Sequence, residues 1–168
     1  MPDKKAIERA EKDRREGKSA STQAGEFVRE EMHHIREGKH GARSTKQAIA
    51  IGLSEARRAG VKLPPPKAGS SSEETRRKAE RDLATGAEGK TRVSHRRAKT
   101  TLDALQREGS AAASPTALAR QGRAAARQRT PAERSAAARK GAETKGAAGR
   151  SAAARKAAQT RAARRAGG

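Results

Sequence analysis

Residues 21–63 read STQAGEFVREEMHHIREGKHGARSTKQAIAIGLSEARRAGVKL and carry most of the large apolar side chains of the chain. Their first half predicts a helix, because its apolar residues recur at helical spacing and form one stripe. That stripe consists of Phe27, Val28, Met32 and Ile35. Ser21 or Thr22 can cap the start of this helix, and Gly38 lies where a helix-ending glycine belongs.

The second half of this stretch predicts another helix. Ser44 followed by Gln47 is a capping-box pattern. Ile49, Leu53 and Ala56 then line one face. The triple proline at 64–66 prevents the helix from continuing. We therefore expect a helical-hairpin module at residues 21–66.

The rest of the chain divides by composition. Residues 1–20 predict a charged, loosely attached helix, and residues 67–109 predict a linker with short helices at 74–86 and 94–108. Residues 110–168 form a low-complexity basic tail, in which no apolar side chain after Leu118 is larger than alanine. Alanine buries too little surface to offset the entropy of ordering. The expected fold is mostly α, a small helical hairpin with a long, largely disordered Ala-rich tail.

The charge is concentrated in this basic tail. The whole chain has a formal net charge of +21, and residues 110–168 contain 14 Lys or Arg against two Asp or Glu. Residues 1–66, by contrast, contain 15 basic and 10 acidic residues. A block of nearly uniform positive charge indicates a polyanionic partner. The expected partner is DNA, bound through its phosphate backbone, and RNA is the alternative.

The basic tail contains an internal repeat. SAAARKGAETKG at 135–146 matches SAAARKAAQTRA at 151–162 in eight of twelve positions. Ser114-Pro115 and Thr130-Pro131 are signals for helix starts, and Glu133 completes a capping box. Cations in and around the repeat are the predicted phosphate contacts: Arg139, Lys140, Arg150, Arg155, Lys156, Arg161, Arg164 and Arg165. Arg57 and Arg58 are predicted to add contacts from the hairpin module.

Other classes of function lack their signatures. The chain has no cysteine, no phosphate-binding glycine loop and no apolar run long enough for a signal peptide or membrane span, so we expect a cytoplasmic, nucleoid-associated protein. So small a core cannot hold catalytic groups in place, so we expect no enzyme, cofactor or small-molecule substrate. His33 and His34 have Glu30, Glu31, Glu37 and His40 nearby, but adjacent helical residues point about 100° apart. No metal site is therefore expected.

The remaining alternatives differ in what the basic tail does. It could serve an RNA- or ribosome-associated protein, or it could be incidental to a protein-interaction module at 21–66. A membrane-surface helix would need large apolar residues opposite its charges, and the tail has none after Leu118. Nothing in the sequence predicts base-specific contacts, and one Phe cannot provide the aromatic platforms typical of single-strand binding. The oligomeric state is left open.

The first 66 residues resemble a known group of proteins. The segments STQAGEFVREE at 21–31, REGKHGARS at 36–44 and QAIAIGLSEARRAGVKLPPP at 47–66 look like an uncharacterised family of small basic bacterial proteins, some of whose members are labelled DNA-binding protein. The resemblance implies no established activity and no site residues. The basic tail is similar in kind to the Ala/Lys-rich tails of linker histones and histone-like bacterial proteins.

Overall fold

The computed structural model describes residues 3–89 and 94–166, and every regular element among them is helical. The mostly α fold class is thereby confirmed. A short 3₁₀ helix, Ser110–Ala113, lies between the fifth and sixth α-helices. Within these described ranges the α-helices are α1 (Lys4–Arg15), α2 (Ala20–Arg36), α3 (Thr45–Arg58), α4 (Glu73–Ala87), α5 (His95–Gln106), α6 (Pro115–Arg127) and α7 (Pro131–Ala166).

The predicted hairpin is present as α2 and α3. Ser19, rather than Ser21 or Thr22, caps α2, and Ser44 caps α3 by accepting from the Gln47 backbone N–H. The two helices approach closely at Gly52, where an added Cβ would lie 2.7 Å from the Val28 Cα. A glycine at this crossing lets the helix backbones meet without a side chain between them.

Two apolar clusters hold the first compact unit, Met1–Gln121, together, and alanine dominates both. The first cluster is formed by Ala6, Ala10, Ala24, Phe27, Ala56 and Val61. The second is formed by Met32, Ile35, Ala42, Ala48, Ala112 and Ala113. The buried alanines belong to α1 and to the 3₁₀ helix as well as to the hairpin. The module predicted at 21–66 is therefore only part of a larger helical unit.

Segments outside the hairpin are attached by specific contacts. On α1, Ala6 and Ala10 are buried, so this helix is not the loosely attached element that its charge suggested. Gly86 brings α4 against the backbone of α3, because a Cβ at this position would overlap the Arg57 carbonyl oxygen. The Thr45 hydroxyl donates to the Ala112 carbonyl at 2.7 Å and fixes the 3₁₀ helix.

The second compact unit, Gly122–Gly168, contains α7. Pro131 occupies its first position, and Thr130 and Glu133 exchange the two hydrogen bonds of a capping box, as predicted. The prediction of a largely disordered tail is not supported, since α6 and α7 cover most of residues 110–168. Ala, Arg and Lys have high intrinsic helix propensity, and backbone hydrogen bonds within a helix require no apolar core.

One bend interrupts α7. Gly146 has φ 63° and ψ 177°, a conformation that L side chains rarely adopt. In the second copy of the repeat Ala162 occupies the equivalent place, and the helix continues through it. Thr144 and Thr160, which are also equivalent, each donate to the carbonyl four residues earlier. The two copies therefore share their local hydrogen bonding and differ at the bend.

Candidate nucleic-acid interface

The predicted phosphate contacts of the basic tail all lie on α7 and are all exposed. They are Arg139, Lys140, Arg150, Arg155, Lys156, Arg161, Arg164 and Arg165. The small size of the intervening alanines leaves these cations as the dominant surface of the helix. The structure therefore gathers on one element the residues that the repeat had singled out.

Some cations of the first unit are paired with acids. The Arg9 guanidinium contacts the carboxylates of Glu26 and Glu30, each at 2.6 Å. The Lys18 ammonium lies 2.6 Å from an oxygen of Asp13, which is buried. Such pairs reduce the positive potential that this unit offers to a polyanion.

The C-terminal part of α7 has no such compensation. From Thr144 to the end of the chain the sequence contains seven Lys or Arg and no Asp or Glu. Neighbouring cations on a solvated helix repel one another, and this repulsion is relieved when phosphates approach. This stretch is therefore a run of positive charge that no acid within it compensates.

The cations beyond the bend lie on more than one side of the helix. At about 100° per residue, the side chains of Arg150, Arg161, Arg164 and Arg165 fall within one arc of about 100°, and Arg155 and Lys156 fall outside it. With a rise of about 1.5 Å per residue, Arg150 and Arg165 are separated by about 23 Å along the axis. A helix with this distribution presents charge along its whole length and around its circumference.

Arg57 has a structural role. The residue is only 6% exposed, and its guanidinium donates to the carbonyls of Leu63 and Pro64, each at 3.2 Å. Burial lowers the pKa of Arg57 from its ordinary value. These hydrogen bonds fold the segment after α3 back onto the helix. We therefore leave Arg57 out of the candidate interface and keep Arg58, which is half-buried.

A second constellation belongs to the group of residues around His33 and His34 in which the sequence predicted no metal site, and it involves His34 without His33. One ligand-type atom from each of Glu31, His34 and His40 lies within 4.8 Å of the others. Asp3 and Glu30 form a second such group with the same His34. The signal for this group in the sequence is the three-residue spacing of Glu31 and His34, which places both on one side of α2. The turn after α2 then brings His40 back toward them.

The environment of this constellation perturbs its titration. Burial, with a contribution from the negative charge of Glu55, raises the pKa of Glu31 to about 7. Burial and the positive charge of Lys39 lower the pKa of His34, against the opposing effect of Glu30. His33 is exposed and belongs to neither group. The residues that could hold a metal ion are therefore a buried Glu31 with partly buried neighbours, and His33 is not among them.

Comparison with known proteins finds that the hairpin region is similar to a family. Residues 15–67 match the model of DUF6496, described as a family of unknown function. The match covers α2 and α3, the stretch on which the resemblance to an uncharacterised family was based. No curated protein and no solved structure matches the chain. Among the helices of the described residues, none combines the length and apolar content needed to cross a membrane.

Proposed function

We propose that this protein is a non-enzymatic DNA-binding protein whose α7 contacts the phosphate backbone with little regard to sequence. The observation that carries the proposal is the run of exposed cations on α7 with no acid after Glu143. Contacts between such side chains and phosphates release condensed counterions and provide affinity that does not depend on base sequence. The role corresponds to a histone-like, nucleoid-associated protein.

The geometry of α7 suits a duplex. The major groove is about 12 Å wide and admits an α-helix, with phosphates of one strand on each side. Cations around the circumference of α7 can meet both strands at once. Between its charges α7 carries Ala with a few Gly, Ser and Thr residues and one Gln, so it has no aromatic side chain to stack on unpaired bases. Duplex backbone contact is therefore the mode that this helix supports.

The test compares two variants that lose the same charge. The first changes Arg155, Lys156, Arg161, Arg164 and Arg165 to Ala. The matched control changes five exposed cations of the first unit to Ala: Lys5, Arg15, Arg43, Lys46 and Lys62. Affinities of the full-length proteins for two unrelated DNA duplexes are measured by fluorescence anisotropy at one salt concentration, with an RNA duplex as competitor.

The α7 variant is expected to lose at least about tenfold in affinity on both duplexes, and the control is expected to lose much less. An equal loss in the two variants would show that only net charge matters and would overturn the assignment to α7. Preferential displacement by the RNA duplex would replace DNA by RNA as the partner.

A further inference from the structure

Glu31 is a buried carboxylate with an unsatisfied oxygen. The residue is 3% exposed, and its Oε1 is buried without a hydrogen-bond partner among the described residues. Its Oε2 lies 3.5 Å from His40 Nε2. A buried polar atom without a partner costs free energy, and a group bound at that atom would offset the cost. A cation bound through both oxygens of the Glu31 carboxylate, together with neighbouring ligands, would satisfy Oε1 in this way.

The His40 ring is held in the orientation of a metal ligand. Its Nδ1 lies 3.2 Å from the Gly41 carbonyl oxygen, which can accept the Nδ1–H, so that the lone pair of Nε2 is directed toward Glu31. A histidine that binds a metal through one nitrogen usually donates from the other to a carbonyl or carboxylate. The side chain of His40 is 10% exposed, and its ring lies edge-on to that of His34 with centroids 6.0 Å apart.

The backbone that carries His40 is itself fixed. Gly38, with φ 72°, ends α2 and turns the chain back toward Glu31. The Gly41 N–H donates to the Leu105 carbonyl at 2.9 Å, and the Ala42 N–H donates to the Gly109 carbonyl at 3.2 Å. The loop is therefore anchored by hydrogen bonds on the residues directly after His40.

His34 is also supported from outside the trio. Its Nε2 lies 3.5 Å from Glu30 Oε1 and 3.9 Å from Asp3 Oδ2. The other oxygen of Glu30 accepts from Arg9 at 2.6 Å, which holds that carboxylate in place. Carboxylates in this position orient a metal-binding imidazole and increase its basicity.

We propose that Glu31, His34 and His40 form a binding site for a divalent first-row transition metal, for which Zn²⁺ is the best fit. Two imidazoles and one carboxylate match the ligand preference of Zn²⁺, whereas Mg²⁺ and Ca²⁺ prefer oxygen ligands alone. Tetrahedral zinc with bonds of about 2.0–2.1 Å keeps its ligand atoms about 3.3 Å apart. The 3.5 Å separation of Glu31 Oε2 and His40 Nε2 is close to this value. Three protein ligands leave the fourth position for water.

The proposal is tested on the full-length, chelator-treated protein without nucleic acid. Zn²⁺ is titrated by calorimetry, and Co²⁺ is added separately because its visible absorption reports tetrahedral coordination. The ligand variants are Glu31→Gln, His34→Gln and His40→Gln. The matched controls are His33→Gln and His95→Gln, which alter exposed histidines. Circular dichroism establishes that each variant retains the helical content of the parent.

We expect one Zn²⁺ per chain at micromolar or lower dissociation constant, a Co²⁺ spectrum of tetrahedral type, and a rise in melting temperature with Zn²⁺. Each folded ligand variant is expected to weaken binding by at least about tenfold, and the controls are expected to bind like the parent. Absence of stoichiometric binding, or equal loss in His33→Gln, would overturn the site. Binding lost in Asp3→Asn and Glu30→Gln but retained in Glu31→Gln and His40→Gln would equally overturn it in favour of the neighbouring group.

Discussion

The Arg150 guanidinium donates a 2.8 Å hydrogen bond to the Ala142 carbonyl across the bend at Gly146. This contact occupies a backbone acceptor near the point where the helical hydrogen bonding of α7 is interrupted. The Arg150 side chain therefore links the two helical segments on either side of the bend.

The bend depends on the glycine. An alanine at Gly146 would have space around it, but the positive φ would be strained. We expect Gly146→Ala to straighten α7 and to increase the helical signal in circular dichroism. Gly141→Ala is the control, because Gly141 lies in the same helix and has no positive φ. Its effect reports only the gain in helix propensity, about 1 kcal/mol. A Gly146→Ala effect no larger than that of Gly141→Ala would argue against the bend.

The crossing of α2 and α3 requires a glycine at position 52. A Cβ on Gly52 would lie 2.7 Å from the Val28 Cα, so Gly52→Ala must push the helices apart. We expect a loss of about 1–3 kcal/mol in the free energy of unfolding, measured by urea denaturation. Gly25→Ala is the control, because nothing lies near its added Cβ, and it is expected to stabilise α2 by up to about 1 kcal/mol. Equal effects at the two glycines would contradict the close crossing.

Arg57 is expected to matter for stability rather than for DNA. Arg57→Met removes the donors that satisfy the Leu63 and Pro64 carbonyls and should lower the free energy of unfolding by about 2–3 kcal/mol. Where the variant remains folded, its affinity for duplex DNA should equal that of the parent. A selective loss of DNA affinity without loss of stability would return Arg57 to the interface.

Glu55 gives the first unit a pH-dependent stability. Burial raises the pKa of Glu55, so the folded state retains a proton that the unfolded chain releases. Its contribution to stability is therefore present below the ordinary pKa of glutamate and is lost as the pH rises through the raised pKa. We expect Glu55→Gln to raise the melting temperature relative to the parent more at pH 8 than at pH 4. Glu8→Gln, at an exposed position of α1, should show no such difference, and an equal rise at both pH values for Glu55→Gln would contradict the account.

The sequence predicted the parts of the fold that depend on local signals. The hairpin, the capping box at Thr130 and the helix starts at the proline positions are confirmed. Ser44 caps α3 as predicted, but Gln47 accepts from the Arg43 N–H and not from the Ser44 N–H, so the capping box there is incomplete. The extent of the first unit was underestimated, because its additional contacts are made by residues such as Ala6 and Gly86, which a search for large apolar side chains does not find. Tail order was underestimated because the prediction weighed apolar burial above helix propensity.

The two candidate sites also differ in whether they depend on local sequence or on tertiary contacts. The exposed cations of α7 could be identified from composition and repeat, since they need no tertiary contact to be placed on the surface. Glu31, His34 and His40 could be named from the sequence, but their convergence could not be predicted, because His40 reaches the other two through the turn at Gly38 and the anchoring of the loop on the Leu105 carbonyl. Comparing the directions of His33 and His34 on the helix does not show that the chain brings His40 back to His34.

The salt dependence of DNA affinity tests the central claim most directly. Each phosphate that α7 neutralises should contribute about −0.9 to the slope of log affinity against log salt concentration. Changing Arg155, Lys156, Arg161, Arg164 and Arg165 to Ala should therefore reduce the magnitude of the slope by up to about 4.5, by the same amount on two unrelated duplexes. A slope unchanged by these substitutions, or a strong preference for one duplex sequence, would contradict backbone binding by α7.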